Sequence, residues 1–568
     1  VNGTISDGFN GVATTSTLGT GQSWSINLVA GADMSAANNM ATLSDNTIGN
    51  MTLANDKMIR TGTGDIHLAA AGKFTLGNGN SVIYTAGRKA DDLAGYTSPA
   101  GATGIGSVGT AYLTNGGDIT IETGSDITGA LLDTTGRQQL INNWLFRQGG
   151  GNSNLPVSWW LRTDQFRQGV AAFGGGDVNV TSGGSVTNLS VSVPTTGRFV
   201  STSSNRTDGG GNIKVQAAGD INNGVYYAGR GDIALSAGGE IANTGNTFGT
   251  VIALQDATAS LSAVGNVFIE AVINPTLFAQ SNVNAPGAQS LTANGLHSSF
   301  NTYSERAGLD VSTLTGNVSF GDFYRNAITS KMATAAQGLL STQSIAITRA
   351  SLGLMPGTLE VTAYNGSITA HSDAGLILMP SSQGNLSLLA GTDIQSPWII
   401  MSDADPAKMP GVFSPVRSLN ESSNSFGKLA DYVQLNHATT PLHSNNPQEV
   451  VIVARDGTIG KEDVATHISL PKAASIIAGL DILNLNAGEI TTNTGASLTY
   501  QGQLQNLSAN NLTIVKAGRD ILQTSGVDSS YNLAGPGNFL FQAGRHFNLG
   551  ASGGLNSVAN TINSYLPD

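Results

Sequence analysis

The chain has 568 residues, of which only 11% are charged, with a formal net charge of −12 and no cysteine. The acidic balance disfavours nucleic acid and anionic membrane surfaces as partners, because both carry negative charge. The lack of cysteine excludes a disulfide scaffold and cysteine-ligated zinc, and the sequence has no apolar run of the roughly 18 residues that would predict a transmembrane segment.

The composition favours a core of small and β-branched side chains, because aromatic residues make up 6% of the chain and glycine accounts for 73 positions. Regularly spaced Ile, Leu and Val argue against disorder. The sequence begins at Val1 with neither an initiator methionine nor a signal peptide. We therefore expect a fragment of a longer mature protein.

A short phrase recurs along the chain: a glycine, a small polar residue and an apolar residue, followed by alternation of polar and apolar positions. Copies lie at 64–68, 117–121, 176–180, 211–215, 231–235, 265–269, 316–318, 357–361, 384–388 and 537–541. A period of two predicts a strand with one buried face. The glycine suits a sharp turn, and Asp or Asn beside it can bind nearby backbone N–H groups.

The spacing of the phrase predicts the architecture. Ile213 and Ile233 are twenty residues apart, as are Ile368 and Leu388. A unit of this size cannot bury its own apolar face, whereas stacked units place equivalent strands in parallel about 4.8 Å apart. We therefore predict an all-β fold, a right-handed parallel β-helix (solenoid) with loop and helical insertions. A sandwich or a propeller fits the interval less well, since their turns or repeats recur at roughly 8–12 or 40–45 residues.

In chain order, the repeat and its interruptions predict seven regions. They are β-helix coils at the start of the fragment (1–77), β-helix with large insertions at 78–115, 130–173 and 190–208 (78–210), regular β-helix (211–273), an insertion with a short helix (274–356), β-helix (357–400), an irregular loop insertion (401–448) and C-terminal coils (449–568).

Two local features need separate predictions. Residues 326–341 are alanine-rich with helical spacing of apolar residues, which predicts the short helix. Near 509–521 the strand holds one residue more than its relatives, so either Leu512 and Ile514 or Val515 and Ala517 set the register. A β-bulge would reconcile the two alternatives.

Longer phrases resemble a known family. The repeated AGGDI and AGRDI, with FRQGVAAFGGGDVNVTSGG, SVSVPTTGRF, LMPGTLEVTAYNGSI, PKAASIIAGLDI and GPGNFLFQAGRHFNLGASGGLNSVAN, are similar to filamentous-haemagglutinin-like exoproteins of two-partner secretion. The similarity is to a region of uncharacterised function toward the C-terminal part of those adhesins, and it extends from about residue 60 onward. It implies export through an outer-membrane β-barrel transporter, a location at the bacterial cell surface or outside the cell, and a role in adhesion. The family's N-terminal secretion domain has no clear counterpart here.

The sequence offers few candidates for chemistry. It lacks HExxH, Gly-x-Ser-x-Gly and phosphate-loop motifs, and we predict no catalytic residue, cofactor or metal ion. Asp403 and Asp405 could bind Ca²⁺ or serve as the carboxylate pair of a glycan-degrading enzyme, although a solvated turn before Pro406 is the favoured interpretation. His437 and His443 share a polar loop and could bind a metal, but a solvated loop is again favoured. Asp91 and Asp92 have the same status as the Asp403 pair.

The most distinctive stretch is 144–167, which contains three of the five tryptophans together with arginines. Aromatic and arginine side chains on an insertion can stack on sugars or anchor a protein partner. The alternative is that the aromatics pack over the flank of the coil. The candidate partner-binding or glycan-binding residues are Trp144, Trp159, Trp160, Arg162 and Arg167.

Three functions remain open from the sequence. The favoured one is a structural and adhesive segment of a large secreted surface fibre, which attaches to a host or bacterial receptor or glycan. A second is a β-helical polysaccharide lyase or glycoside hydrolase. A third is a receptor-binding module carried by insertions on a passive stalk. Clustering of the insertions over a groove would favour the second or third function, and scatter would disfavour both.

Overall fold

The computed structural model describes residues 5–6, 21–90, 112–130, 141, 144–148, 157–161, 163, 166–201, 203–244, 249–277, 300–321, 354–370, 375–415, 437–492, 498–524 and 530–567. Within these ranges the fold is all-β, with two short 3-10 helices at Pro275–Leu277 and Pro406–Lys408 and no α-helix. Most strands belong to a parallel sheet of 33 strands. The predicted helix at 326–341 lies outside the described residues.

The parallel strands form three ladders, and each repeat of the chain, here called a rung, adds one strand to each ladder. The first ladder contains most of the strands that carry the repeated phrase, whereas the copies at 265–269 and 316–318 lie in the second ladder. The first-ladder strands are Ile26–Ala30, Ile66–Ala70, Ile119–Thr123, Val178–Ser182, Ile213–Ala217, the second half of Gly224–Ala237, the second half of Thr250–Ala263, Gly308–Thr313, Thr358–Ala363, Leu386–Ala390, Val450–Ala454, Ala474–Ala478, Leu512–Ala517 and Asn538–Ala543.

The second ladder follows the first after a turn, and most of its strands are two or three residues long. They are Met51–Leu53, Phe74–Leu76, Ile127–Thr128, Val186–Thr187, Ile221–Asn222, Ile241–Ala242, the start of Val267–Ile273, Val318–Phe320, Ile368–Ala370, Ile394–Gln395, Ile459–Gly460, Ile482–Leu483, Asp520–Leu522 and His546–Asn548.

The third ladder closes each rung and is divided into segments. Its strands are Ile5–Ser6, Met58–Thr61, Val82–Thr85, Val170–Ala172, Val191–Val193, the first halves of Gly224–Ala237 and Thr250–Ala263, the end of Val267–Ile273, then Leu354–Met355, Leu376–Leu378, Trp398–Met401, Thr466–Ser469 and Leu485–Asn486, then Leu504–Gln505, Tyr531–Ala534 and Leu555–Ala559. Isolated parallel bridges from Leu470 to Leu504 and from Ala487 to Tyr531 connect the last two groups.

Three small antiparallel sheets complete the described strands. They consist of Leu145–Gln148, Ser158–Leu161, Thr195–Ser201 and Ser204–Gly209; of Arg88–Lys89 and Leu113–Thr114; and of Glu489–Thr492 and Leu498–Gln501.

One apolar core runs the length of the stack between the ladders. In Ile213–Ala217 the residues Ile213, Val215 and Ala217 are buried while Lys214 and Gln216 are exposed. Ile213 pairs with Ile233 of the next rung, so this twenty-residue interval is one rung, as the sequence predicted. The second predicted interval was wrong: Ile368 pairs with Ile394, and Leu388 pairs with Val361, because Ile368 and Leu388 belong to different ladders. Stacking of identical positions makes each layer of the core a column of similar side chains.

Polar side chains at the corners bind one rung to the next. Where the chain enters the first ladder, the backbone N–H of Asp118 donates to Asp65 Oδ1 (2.9 Å), and that of Asp177 to Asp118 Oδ1 (2.8 Å). Asn212 and Asp232 continue this column, with distances of 2.7 and 3.0 Å. The aspartate of the repeated phrase is therefore a structural acceptor for the rung that follows.

A second column lies where the chain enters the second ladder. Asp220 Oδ1 accepts the backbone N–H of Glu240 (2.8 Å), and Asn266 Oδ1 accepts that of Asn317 (2.9 Å). The column continues to Asp520, which accepts the N–H of His546 (3.0 Å) and pairs with Arg545. Asp and Asn side chains are therefore interchangeable at this corner as acceptors for a backbone N–H of the following rung.

The register near 509–521 follows the second of the two predicted alternatives. Val515 pairs with Ile476 and Ala517 with Ala478, and both are buried while Leu512 is exposed. The pairing on either side of this strand is regular, without a bulge. The extra residue instead lengthens the strand at its start.

The glycine of the phrase is required by close approach between rungs. A Cβ on Gly231 would lie 2.2 Å from the carbonyl oxygen of Gly211, and the φ of Gly231 is +111°. A larger residue would both clash with backbone and adopt an unfavourable conformation. Parallel pairing at this corner therefore selects glycine.

We predict that Gly231→Ala lowers the free energy of unfolding by about 1–3 kcal/mol, because the added methyl group must push two rungs apart. Gly411→Ala is the control, since a Cβ there meets its nearest atom only at 3.9 Å, and its effect is expected within about 0.5 kcal/mol. Equilibrium denaturation of the two variants and the parent chain measures both values. Equal stability of the two variants would contradict the corner argument.

Candidate functional site: a covering layer on the third ladder

Most of the long insertions begin or end next to the third ladder; the exception is the segment 31–50, which lies between the first-ladder strand Ile26–Ala30 and the second-ladder strand Met51–Leu53. From Ile66–Ala70 onward, two to four residues connect each first-ladder strand to its second-ladder strand. By contrast, the segments 86–118, 129–169, 194–212, 274–307, 321–353 and 402–449 each begin or end at a third-ladder strand. In the part of the chain that the structure describes, these six insertions therefore connect to the stack beside the third ladder.

The third ladder is buried on both faces where the insertions cover it. In Val82–Thr85 all four side chains are buried. Ile83 belongs to the central core, whereas Val82 and Tyr84 belong to a second apolar cluster on the other face. Tyr226 and Tyr227 divide between the two cores in the same way.

The second cluster is formed by what we call the covering layer: the antiparallel sheet that includes Ser158–Leu161 and Thr195–Ser201, together with segments 274–277, 300–302 and 410–412. Aromatic rings fill the space beneath it. Trp144 packs edge-on against Phe166, with ring centroids 5.3 Å apart, and Phe166 packs edge-on against Phe173 at 5.1 Å. Such pairs contribute stability beyond the area that they bury.

Several polar groups inside the layer are hydrogen-bonded to one another, although Gln168 Nε2 and Gln255 Nε2 have no partner among the described residues. Trp144 Nε1 donates to Gln168 Oε1 (2.7 Å). Gln255 Oε1 accepts from Thr195 Oγ1 (2.8 Å) and from the hydroxyl of Tyr227 (2.9 Å). Because buried polar groups are costly without partners, these bonds fix the sheet in one position on the ladder.

The layer joins insertions that are distant in sequence. Val157 N–H donates to Val412 O (2.9 Å), and Asn301 N–H donates to Pro410 O (2.7 Å). Asn205 Nδ2 donates to Val157 O (3.0 Å). Segments from four separate insertions therefore form one continuous surface.

The predicted binding residues lie mostly inside this layer. Trp144, Trp159 and Trp160 are 0%, 4% and 1% exposed, and Arg167 is partly buried with Nη1 donating to Phe166 O (2.6 Å). Arg162 lies outside the described residues. The burial favours the alternative in which these aromatics pack over the flank, and glycan or partner binding by the five residues stays a prediction.

Apolar side chains that are accessible on the layer are different ones. Val200 is 54% exposed and Phe413 is 48% exposed. Val200 follows Phe199, which pairs with Asn205, while Phe413 follows Val412. Since Asn205 and Val412 both bind the backbone of Val157, the two exposed residues belong to neighbouring parts of the layer.

Asp403 is held in a network that the sequence did not predict. Its Oδ1 is 2.8 Å from His437 Nδ1, and its Oδ2 accepts from Asn563 Nδ2 (3.1 Å). Asp405 instead accepts from Ala407 N–H (2.9 Å) at the start of a 3-10 helix, which agrees with the predicted turn before Pro406. Within the described ranges no group of three or more His, Asp or Glu side chains is arranged to hold a metal ion; Asp91 and Asp92 lie outside those ranges.

Lys472, a buried charged group beside this network, was not singled out from the sequence, and His443, which was expected in a solvated loop, is instead 1% exposed. Lys472 is 3% exposed and donates to Gly384 O and Asn385 Oδ1, both at 3.2 Å. Burial lowers the pKa of the Lys472 ammonium to about 8 and that of His443 to about 4. Glu305 binds the loop at Ser381 and Ser382 through Oε2. Gly384 O also accepts from Asn446 Nδ2 (3.1 Å), so the 401–448 insertion contacts the same loop.

In comparisons with known proteins, no family model, no curated protein and no solved structure matches this chain. The part of the chain that the structure describes has no helix with the length and hydrophobicity of a membrane span.

We predict that Trp159→Ala destabilises the covering layer by about 3–5 kcal/mol, because it empties the space between the sheet and Phe300. Trp24→Ala removes a ring that is 50% exposed and is expected to change stability little. Hydrogen exchange of Thr195–Ser201 amides measures the local effect. Unchanged protection in Trp159→Ala would show that the ring does not hold the sheet.

A pH dependence follows from Lys472. Because the folded-state pKa lies below that of the unfolded chain, the folded state releases this proton first, and stability rises with pH between about 8 and 10.5. We expect the stability of the parent chain relative to Lys472→Met to increase across that window and to be constant below it. Denaturation at a series of pH values measures the difference. Lys408→Met, which removes an exposed lysine, is the control. If the stability of the parent chain relative to Lys408→Met increased in the same way, the effect would not come from Lys472.

Proposed function

We propose that this chain is a structural and adhesive segment of a secreted bacterial surface fibre, in which a right-handed parallel β-helix acts as a stalk and the covering layer carries the contact surface. The observation that supports this most directly is the clustering of the long insertions beside the third ladder. A passive spacer gains nothing from one-sided insertions, whereas a binding surface needs them together.

The β-helix part of the proposal rests on the three ladders. Each rung contributes one strand to each, the pairings are parallel, and the core is shared along the stack. Right-handed connection is the rule for parallel strands joined by crossovers. Export through an outer-membrane transporter and a surface location rest on the resemblance of the repeated phrases alone.

The enzymatic alternative receives less support from the candidate carboxylates. Asp403 is engaged with His437 and Asn563, and Asp405 caps a short helix. Glycoside hydrolysis requires two carboxyl groups facing a substrate cleft. Both side chains have structural partners, which favours a non-catalytic role.

The test compares exposed apolar residues on two sides of the stack. We expect the fluorescently labelled chain to bind bacterial or epithelial cells, or members of an immobilised glycan panel, and we expect Val200→Asp with Phe413→Asp to weaken this binding at least tenfold. The matched control is Leu314→Asp with Tyr364→Asp, at residues that are 54% and 57% exposed on turns between the first and second ladders. Equal loss in both double variants would contradict a contact surface on the layer.

Two further readouts separate the stalk from its alternatives. The first ladder has fourteen described strands, which at a spacing of about 4.8 Å make a stack roughly 60 Å long. Small-angle scattering is therefore expected to show an elongated particle. A compact globule would exclude the stalk. Cleavage of a polysaccharide by the parent chain would favour the enzyme instead.

A further inference from the structure

The lysine buried beside the 401–448 insertion contacts an asparagine of the repeated phrase. Lys472 Nζ donates to Gly384 O and to Asn385 Oδ1, both at 3.2 Å, and the Lys472 and Asn385 side chains are each 3% exposed. We propose that these two side chains react with each other and form an intramolecular amide bond, an isopeptide cross-link between Lys472 Nζ and Asn385 Cγ. Such a modification is independent of the adhesive function proposed above.

The contact joins two rungs that are not neighbours. Leu386–Ala390, Val450–Ala454 and Ala474–Ala478 are consecutive strands of the first ladder. Asn385 directly precedes the first of these strands and Lys472 lies shortly before the third. The lysine side chain therefore passes the intervening rung to reach the corner. At other corners the Asp or Asn side chain accepts a backbone N–H of the next rung, whereas here it accepts from an amine.

The lysine is a suitable nucleophile because it is buried. An amine attacks a carbonyl carbon only in its neutral form, and burial lowers the pKa of the Lys472 ammonium to about 8. A larger fraction of Lys472 is therefore neutral near physiological pH than of an exposed lysine, whose pKa is about 10.4. Both acceptors of Nζ are neutral oxygens, which stabilise the charged form less than a carboxylate would.

The asparagine presents its amide to this amine. The carbon to be attacked, Asn385 Cγ, is bonded to the oxygen that Lys472 Nζ already contacts, so a small rotation of the flexible lysine stem brings the nitrogen over that carbon. Asn385 Nδ2 is buried and has no hydrogen-bond partner among the described residues, so no bond to the protein opposes its departure. Contact between the two groups makes the reaction intramolecular, and burial excludes water as a competing nucleophile.

The reaction is balanced by the release of ammonia. Lys472 Nζ forms a bond to Asn385 Cγ, the bond from Cγ to Nδ2 breaks, and Nδ2 leaves as ammonia with a proton that Nζ gives up. No oxidant or reductant is needed. The net change is the loss of one ammonia molecule from the chain.

His443 carries the proton between the two nitrogens. It is 1% exposed, and in the described structure neither ring nitrogen has a hydrogen-bond partner, although the backbone of Ser402 lies beside the ring. Burial, together with the charge of Lys472, lowers the pKa of His443 to about 4, so the ring is neutral and able to accept. Asn446 holds this loop at the reacting pair, since its N–H donates to His443 O (2.9 Å) and its Nδ2 to Gly384 O (3.1 Å).

The cross-link encloses the whole 401–448 insertion. Asn385 and Lys472 are 87 residues apart, and both lie outside the insertion, one on each side of it. A covalent cross-link stabilises a fold mainly by restricting the unfolded chain, more so for long loops. Since the chain has no cysteine, a disulfide is excluded, and a side-chain amide is a covalent clamp that its composition permits.

Mass spectrometry of the purified full chain tests the proposal. We expect an intact mass lower than the sequence mass by one ammonia molecule, and a branched peptide in the digest that joins Asn385 to Lys472. Lys472→Arg keeps the charge and hydrogen-bond donors without a nucleophilic amine, and Asn385→Ala removes the amide. Both variants are expected to have their full sequence mass. In His443→Gln, the rate of ammonia loss by newly synthesised chain is expected to fall at least tenfold.

The matched controls are Lys408→Met, which removes an exposed lysine, and Asn317→Ala, which removes a corner asparagine that accepts the N–H of Ser367 (2.8 Å). Each is expected to lose one ammonia, as the parent chain does. Chain that has not reacted keeps the titration of Lys472 described above, whereas cross-linked chain loses it.

A parent chain at its full sequence mass would overturn the cross-link, and this measurement does not depend on the folding of any variant. Loss of ammonia without the branched peptide would identify a succinimide at an Asn–Gly step, such as Asn223–Gly224, and would overturn it equally. An unchanged rate in His443→Gln would overturn the role of His443 as proton carrier.

Discussion

The structure depends on the short distance between successive parallel strands. Rungs about 4.8 Å apart bring the backbone of one rung close to that of the next at the corners. A residue at such a corner must therefore be glycine, unless the backbone there is extended and does not turn. At the first corner Gly211 and Gly231 approach the carbonyl oxygen of the rung before. The neighbouring Asp or Asn then accepts an N–H from the rung after it. Small core residues follow from the same constraint, because a narrow stack has no room for large ones.

The third ladder accommodates larger side chains on its outer face than the other two ladders do. Its strands pair in parallel like the others, but their outer side chains are covered by a separate sheet rather than by water. This second core contains Trp144 and Trp159, whereas the central core, among the described residues, contains phenylalanine and tyrosine but no tryptophan. Insertions are tolerated on this side because the layer buries their apolar residues, and contacts such as Val157 with Val412 join them into one surface.

The first two ladders could be predicted from the sequence because each rung repeats a local pattern. Ile213 and Ile233 have the same neighbours and the same spacing as their relatives, so their pairing could be inferred. The third ladder could not, since strands such as Val82–Thr85 are buried on both faces and show no alternation. The antiparallel sheet was missed for a related reason: Trp159 pairs with Gly197 across an interval of 38 residues and packs on it through contacts that no periodicity records.

The chemistry of the flank was less predictable than the fold. Asp403 and His437 were noted separately, but their contact depends on how the 401–448 insertion folds back. Lys472 follows a proline at an unremarkable position, and only the stack places it over Gly384. Burial of all three candidate tryptophans shows that aromatic content marks a second core as readily as a binding surface. Exposed residues such as Phe413 carry no distinguishing signal in the sequence.

The first corner column has a consequence for the solution around the protein. Asp65, Asp118 and Asp177 follow one another at the spacing of the strands, each with one oxygen bound to the next backbone amide. Their like charges repel along the column, and mobile counter-ions weaken that repulsion over a Debye length of about 8 Å at physiological ionic strength. Asn212, which is uncharged, follows Asp177 in the column and limits the extent of the negative electrostatic potential. This edge of the molecule is therefore a line of fixed negative charge whose contribution to folding depends on the surrounding electrolyte.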